Sequence, residues 1–106
     1  MHAVVSNKRD AVAELCRQFH VRRLEVFGSA ARGTDFDALR SDADFLIEFE
    51  PGCDPGMAGF MELKEALERT VGRPVDLIDR SAVERSRNYL RRRQILGEAE
   101  PVYVAE

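Results

Sequence analysis

Between residues 42 and 49 the chain reads DADFLIEF, an alternation that constrains the fold more than any other stretch. In an extended strand, Ala43, Phe45, Ile47 and Phe49 share one side, while Asp42, Asp44, Leu46 and Glu48 share the other. The apolar side must be covered by helices. The two aspartates are costly in a half-buried strand unless a cation or a basic group meets them.

The rest of the sequence supplies the layers such a strand needs. Val12, Leu15, Cys16 and Phe19 recur at spacings of three and four, predicting an amphipathic helix over about 7–19 with Ser6 as its N-cap. VRRLEVF is a strand ending at Gly28, and GSAARG is a tight turn opening a short helix that Gly33 closes. TDFDALRS is a polar loop, and PGCDPG ends the alternating strand. A helix with Phe60, Leu63, Leu67 and Val71 as its stripe stops at Gly72, and PVDLID forms a third strand. Ser81 and Glu84 have the spacing of a capping box for a last helix of about fifteen residues, with Val83 and Leu90 as its buried line. PVYVAE is a terminal extended piece. This order predicts an α/β (α+β) fold, a small mixed sheet flanked by helices, in a single domain over 1–106.

Composition narrows the function classes. A net charge of −3 argues against strong nucleic-acid binding, although the arginines at 85, 87, 91, 92 and 93 form a local basic run. That run is either a solvated face, a docking surface for an acidic partner, or a weak RNA contact. No apolar run reaches the roughly 20 residues of a membrane helix, and the N-terminus lacks a signal-peptide pattern. Cys16 and Cys53 form no CxxC pair and have no zinc-ligand spacing with His2 or His20. A cytoplasmic setting without disulfides is expected.

The chemistry centres on two features. Alternate residues of a strand lie roughly 6.7 Å apart on one face, so Asp42 and Asp44 can lean toward a common volume. Carboxylates at that spacing suit hard divalent ions, of which catalytic pairs stand about 3.5–4 Å apart. Asp76 joins them if its strand pairs beside theirs. The Gly28-Ser29 turn offers backbone N–H groups and a hydroxyl to phosphate oxygens, and Arg32 follows one turn later. A metal-bridged nucleoside triphosphate would answer both features. Either motif alone is weak, since Asp-x-Asp is commonly a solvated strand edge and Gly-Ser an ordinary turn. Glu48 reads as a solvated strand end, Asp79 as a turn or helix-entry residue, and Ser41 as a backbone-bonding residue.

Taken in this order, GSAARG, SDAD and VDLI resemble the nucleotidyltransferase fold of the DNA polymerase beta-type superfamily, in its minimal nucleotidyltransferase branch. The resemblance runs from about Leu24 to Asp79, and ILGEAEPVY is similar to the family's usual ending. It implies that Asp42, Asp44 and Asp76 are catalytic and hold two Mg²⁺ ions. It implies that Gly28, Ser29 and Arg32 bind the nucleotide, with ATP as substrate. The segment 34–41 is slightly longer than is common among small members and adds Asp35 and Asp37.

An acceptor-binding domain is not expected within these 106 residues, so another polypeptide or a second copy of this chain is expected to hold the acceptor. The resemblance implies a HEPN-type ribonuclease toxin in a hetero-oligomer, with AMP moved from ATP to a tyrosine hydroxyl and the present chain acting as antitoxin. Two other readings stay open. One is a non-catalytic antitoxin that neutralises by binding; the other is a small-molecule transferase of the aminoglycoside-modifying type.

Overall fold

The computed structural model describes residues 1–33 and 42–105. Residues 34–41, with Asp35, Asp37 and Ser41, which the sequence reads as a polar loop, lie outside the described residues. Helices α1 (Ala3–Ser6) and α2 (Arg9–Gln18) precede strand β1 (Val21–Phe27), helix α3 (Ser29–Arg32) and strand β2 (Ala43–Phe49). Helix α4 (Gly56–Val71) leads to β3 (Val75–Asp79), and then come α5 (Arg80–Glu84), α6 (Tyr89–Glu98) and β4 (Glu100–Val104). The strands form one mixed sheet in the order β3-β2-β1-β4. β1 runs antiparallel to both neighbours, whereas β2 and β3 are parallel and joined by the α4 crossover.

Alternation decides which residues meet on each face. Leu24, Val26, Ala43, Phe45, Ile47, Val75 and Leu77 pack with Val12 and Cys16 of α2 and Leu63, Leu67 and Val71 of α4. Val21 joins this core because a register shift between Val21 and Arg23 re-aims it. The opposite face is also covered, where Phe27 and Leu46 meet Val83 of α5 and Ile95 of α6. Each fully buried Leu, Ile or Phe contributes about 1.5–3 kcal/mol. Cys16 is part of the first core, and burial pushes its thiol up to about 12, which makes it inert at neutral pH. Among the described residues, no helix is long and apolar enough to cross a membrane.

Three sequence expectations need correction. Ser6 does not cap α2; it ends α1, whose own N-cap is His2, with the imidazole accepting the Val4 N–H at 3.0 Å. The single last helix is two helices. Asp79 caps α5 by accepting the Ser81 N–H at 2.8 Å, and Asn88 caps α6 by accepting the Arg91 N–H at 3.1 Å. Glu84 therefore turns away from a capping box and bonds Arg80 at 3.2 Å. With the helix broken, Leu90 sits in the first turn of α6 and is 76% exposed, while Val83 and Ile95 are buried.

The entry to β3 rests on Glu68 of α4, whose carboxylate accepts the Val75 N–H at 3.0 Å and the Lys64 ammonium at 3.2 Å. The Val75 bond, aided by Lys64, holds this carboxyl below its usual range. A depressed folded value contributes stability above the unfolded value and loses it as pH falls through the folded one. Glu68→Ala is therefore expected to cost about 1 kcal/mol at pH 7. In denaturant titrations across pH, the gap to wild type should close toward acid pH. A gap that stays constant would mean the charge plays no part.

Candidate active site

The site forms where β1 hands over to α3. Gly28 adopts φ +68° and ψ −150°, a backbone region open in practice to glycine alone. A Cβ there would come within 2.8 Å of the Asp44 carboxylate oxygen Oδ2. The missing side chain lets the strand-to-helix turn lie directly under that carboxylate. Gly33, at φ +78°, closes α3 as expected.

Register brings in the acids. Asp44 stands opposite Phe27 on β1 and opposite Asp76 on β3. Register partners of a parallel pair project to the same side, so Asp44 and Asp76 share the face that carries Leu46 and Ile78. Asp42 immediately precedes β2. Asp42 and Asp76 are exposed, while Asp44 is half-buried. The Asp44 carboxyl is pushed up to about 6, first by burial and then by the charges of Asp76 and Asp42, with Arg32 pulling the other way. Asp76 and Asp42 are thus each close enough to Asp44 to act on its charge.

A cavity of about 320 Å³ opens beside Asp44, lined also by Gly28, Ser29 and Arg32. Four of the six residues singled out in the sequence line this one space. Asp42 and Asp76 are not in the lining. The remaining wall, Phe27 of β1 and Arg91, Gln94, Ile95 and Glu98 of α6, was not foreseen. Glu98 accepts from the Arg32 guanidinium at 2.8 Å and steadies it beside the turn. The available signal was the i, i+3, i+4 series Arg91, Gln94, Ile95, Glu98, which lies on one side of a helix once α6 starts at Tyr89.

The donor set suits a hard dication. The Asp42 and Asp76 charges both bear on Asp44, which is held back from ionising, and the Arg32 guanidinium that acts on Asp44 is bonded to Glu98. Among the described residues, however, no three His, Cys, Asp or Glu side chains enclose an ion by themselves. An ion here would need further oxygen ligands, as a phosphate chain provides. Glu48 pairs with Arg22 at 3.9 Å, and Asp79 is occupied as a helix cap, so neither adds to the cluster.

One further carboxylate on this face was missed. Glu25 is 3% exposed and is paired with Arg80 and, at 3.4 Å, with Arg23. It fastens β1 to α5 behind the site. Its sequence setting, VRRLEVF, carries no sign of a partner 55 positions away.

The chain is similar in sequence and fold to known proteins. The model of the nucleotidyltransferase domain family matches residues 8–100. The protein adenylyltransferase MntA of Thermococcus cleftensis is 41% identical over 71 residues, covering 67% of this chain and 68% of its own. A solved structure assigned to the minimal nucleotidyltransferases superposes with a TM-score of 0.68 at 37% identity, over 90% of this chain and 89% of its own. A chain from the complex of tri-AMPylated Shewanella oneidensis HEPN toxin with MNT antitoxin shares the fold, with a TM-score of 0.60 at 17% identity. That match covers 93% of this chain and 71% of the other.

Proposed function

The chain belongs to the nucleotidyltransferase domain family, and from that premise we propose that it transfers AMP from ATP to a protein hydroxyl. The acceptor in this reading is a tyrosine of a HEPN-type toxin, bound in a hetero-oligomer, with the present chain as antitoxin. The observation that carries the reading is the seating of Asp44 over the Gly28 turn, in one cavity with Ser29 and Arg32 and in register with Asp76. The adenylyltransferase designation of the Thermococcus cleftensis relative supports protein as the acceptor class. The AMPylated toxin in the Shewanella oneidensis complex supports the kind of partner.

In this reading Asp42, Asp44 and Asp76 hold two Mg²⁺ ions. Bound magnesium would neutralise charge on the triphosphate and lower the proton affinity of the attacking hydroxyl. The chain's own residues do the positioning. The leading N–H groups of the α3 turn and the Ser29 hydroxyl donate to phosphate oxygens. Arg32, held by Glu98, adds a guanidinium on the same side. Asp76, exposed beside Asp44, orients the incoming hydroxyl. The hydroxyl oxygen bonds to the α-phosphorus, the bond to the β-phosphate oxygen breaks, pyrophosphate leaves, and the hydroxyl proton passes through Asp76 to water. Most of the rate enhancement in such a site comes from alignment and charge stabilisation.

The test uses the protein encoded by the gene adjacent to that of this chain, which in this reading is of the HEPN type. Incubated with the chain, ATP and Mg²⁺, that protein should gain the mass of one or more AMP units by intact mass spectrometry. The gain should vanish with Asp44→Asn. Silencing of the toxin with no change of mass would overturn transfer and leave neutralisation by binding. AMP transfer to a small molecule with no partner present would overturn the protein acceptor.

A further inference from the structure

Two exposed patches of opposite charge lie at the two ends of α5. The first is a groove of about 620 Å³ between the end of β2, the start of α4 and the β3–α5 junction. Phe49, Met57 and Phe60 give it an apolar floor, Glu50, Asp54 and Asp79 give it an acidic rim, and among the described residues its lining contains no basic one. Met57 is 78% exposed, far more than a side chain of that size in a finished core. The second patch is the segment 85–93, which contains five arginines and no acid. Tyr89 and Leu90 stand out of it at 56% and 76% exposure. Arg85, Arg87, Arg91 and Arg93 are exposed, and none of them ion-pairs among the described residues.

The segment cannot fold back into the groove of its own chain. Asn88 caps α6, the Arg92 guanidinium donates to the Ser86 carbonyl at 3.0 Å and lies over the Tyr89 ring, and Ile95 roots the helix in the second core. The segment is therefore presented already ordered, which lowers the entropy cost of docking. Asp79 belongs to the groove and Arg85 to the segment, so only residues 80–84 separate them. Adjacent complementary patches on one surface are satisfied together across a two-fold axis, where each contact is made twice.

We propose that this chain forms a two-fold homodimer in which the 85–93 segment of each copy docks into the groove of the other. Leu90 and Tyr89 cover the Met57 and Phe60 floor, and the arginines meet Glu50, Asp54 and Asp79. Arg91 belongs to the docking segment and also lines the catalytic cavity, so the second copy occupies one side of that cavity's approach. The dimer stands independently of the transfer reaction.

Sedimentation velocity on the full chain, alone and without nucleotide, tests this. At about 100 µM and low salt the expected species has twice the 12.0 kDa chain mass, and about 0.5 M salt should weaken it at least tenfold. Met57→Lys and Leu90→Glu each remove one apolar contact and set like charges against each other, so each variant alone should sediment as a monomer. Both sites are exposed, so the fold should tolerate them. Mixed in equal amounts, the variants should dimerise again, because one native half-interface remains and the introduced ammonium faces the introduced carboxylate. A monomeric wild type, variants that still dimerise, or a mixture that stays monomeric would each overturn the proposal.

Discussion

Asp44→Asn is expected to lose AMP transfer by about 10³-fold or more, roughly 4 kcal/mol of transition-state stabilisation, while the metal-free protein becomes more stable. Both effects have one origin. Of the three aspartates, Asp44 alone lines the cavity with the Gly28-Ser29 turn, and it alone is half-buried among like charges. Its carboxyl is pushed from 3.8 to about 6, by burial first and then by Asp76 and Asp42. The native state therefore binds this proton more tightly than the unfolded chain does. Without divalent ions, wild-type stability should rise as pH falls from 7 through 6 toward 4. Asparagine takes up no proton, so the variant should lack that rise. At pH 7 it should exceed wild type by roughly 1 kcal/mol, a figure reduced for the solvent screening of a half-exposed group. Magnesium reverses the order, because an ion bound only by the native state stabilises it by mass action. Thermal melts in chelator and in Mg²⁺, across pH 4–8, read all of this. Equal stabilisation of both proteins by Mg²⁺ would remove Asp44 from the ion site. Identical pH profiles would mean that the crowding of carboxylates costs the fold nothing.

The parts of the fold that were legible in the sequence are those set by strict local rules. Alternation placed Ala43, Phe45 and Ile47 in one core and turned Asp44 and Leu46 to the other face. The Gly28-Ser29 turn, the Gly33 stop and the Gly72 stop follow from backbone freedom that few other residues have. The register of Asp76 against Asp44 is tertiary, but it follows once two apolar strands are linked by a crossover helix and their patterns must face the same way. What stayed hidden depends on competition between neighbours. Ser81 and Glu84 have capping-box spacing, yet Asp79 lies two residues earlier and its carboxylate takes the Ser81 N–H that the Glu84 carboxylate would accept in the box. Separately, α5 ends at Glu84 and Asn88 starts a new helix, which leaves Leu90 exposed and puts Arg91 in the lining of the cavity beside Asp44. The burial of Glu25 is of the same kind. A carboxylate in a strand reads as exposed until a guanidinium from another element is found beside it.

Gly28→Ala is expected to damage both the fold and the reaction, and a second glycine shows how to separate the two effects. Gly28 and Gly72 both have positive φ, +68° and +74°. Gly72 has a ψ of 26°, the left-handed helical region, and a Cβ there meets nothing within 4 Å. Gly72→Ala should therefore cost about 1 kcal/mol of stability and leave the transfer rate unchanged. Gly28 has a ψ of −150°, where a side chain is more strained, so the same substitution should cost about 2–3 kcal/mol. Its new methyl must also displace the Asp44 carboxylate from the 2.8 Å position. A shift of about 1 Å in a reacting group can cost 10²-fold in rate, and the transfer rate of the folded fraction should fall by at least that. Assays below the melting temperature of each variant, normalised to folded protein, distinguish lost alignment from lost fold. If Gly28→Ala and Gly72→Ala kept equal rates per folded molecule, the turn would not be positioning Asp44. The glycine would then serve only the backbone. If Gly28→Ala alone is slow, the absence of one methyl group is what allows the Gly28-Ser29 turn and the Asp44 strand to act on the same nucleotide.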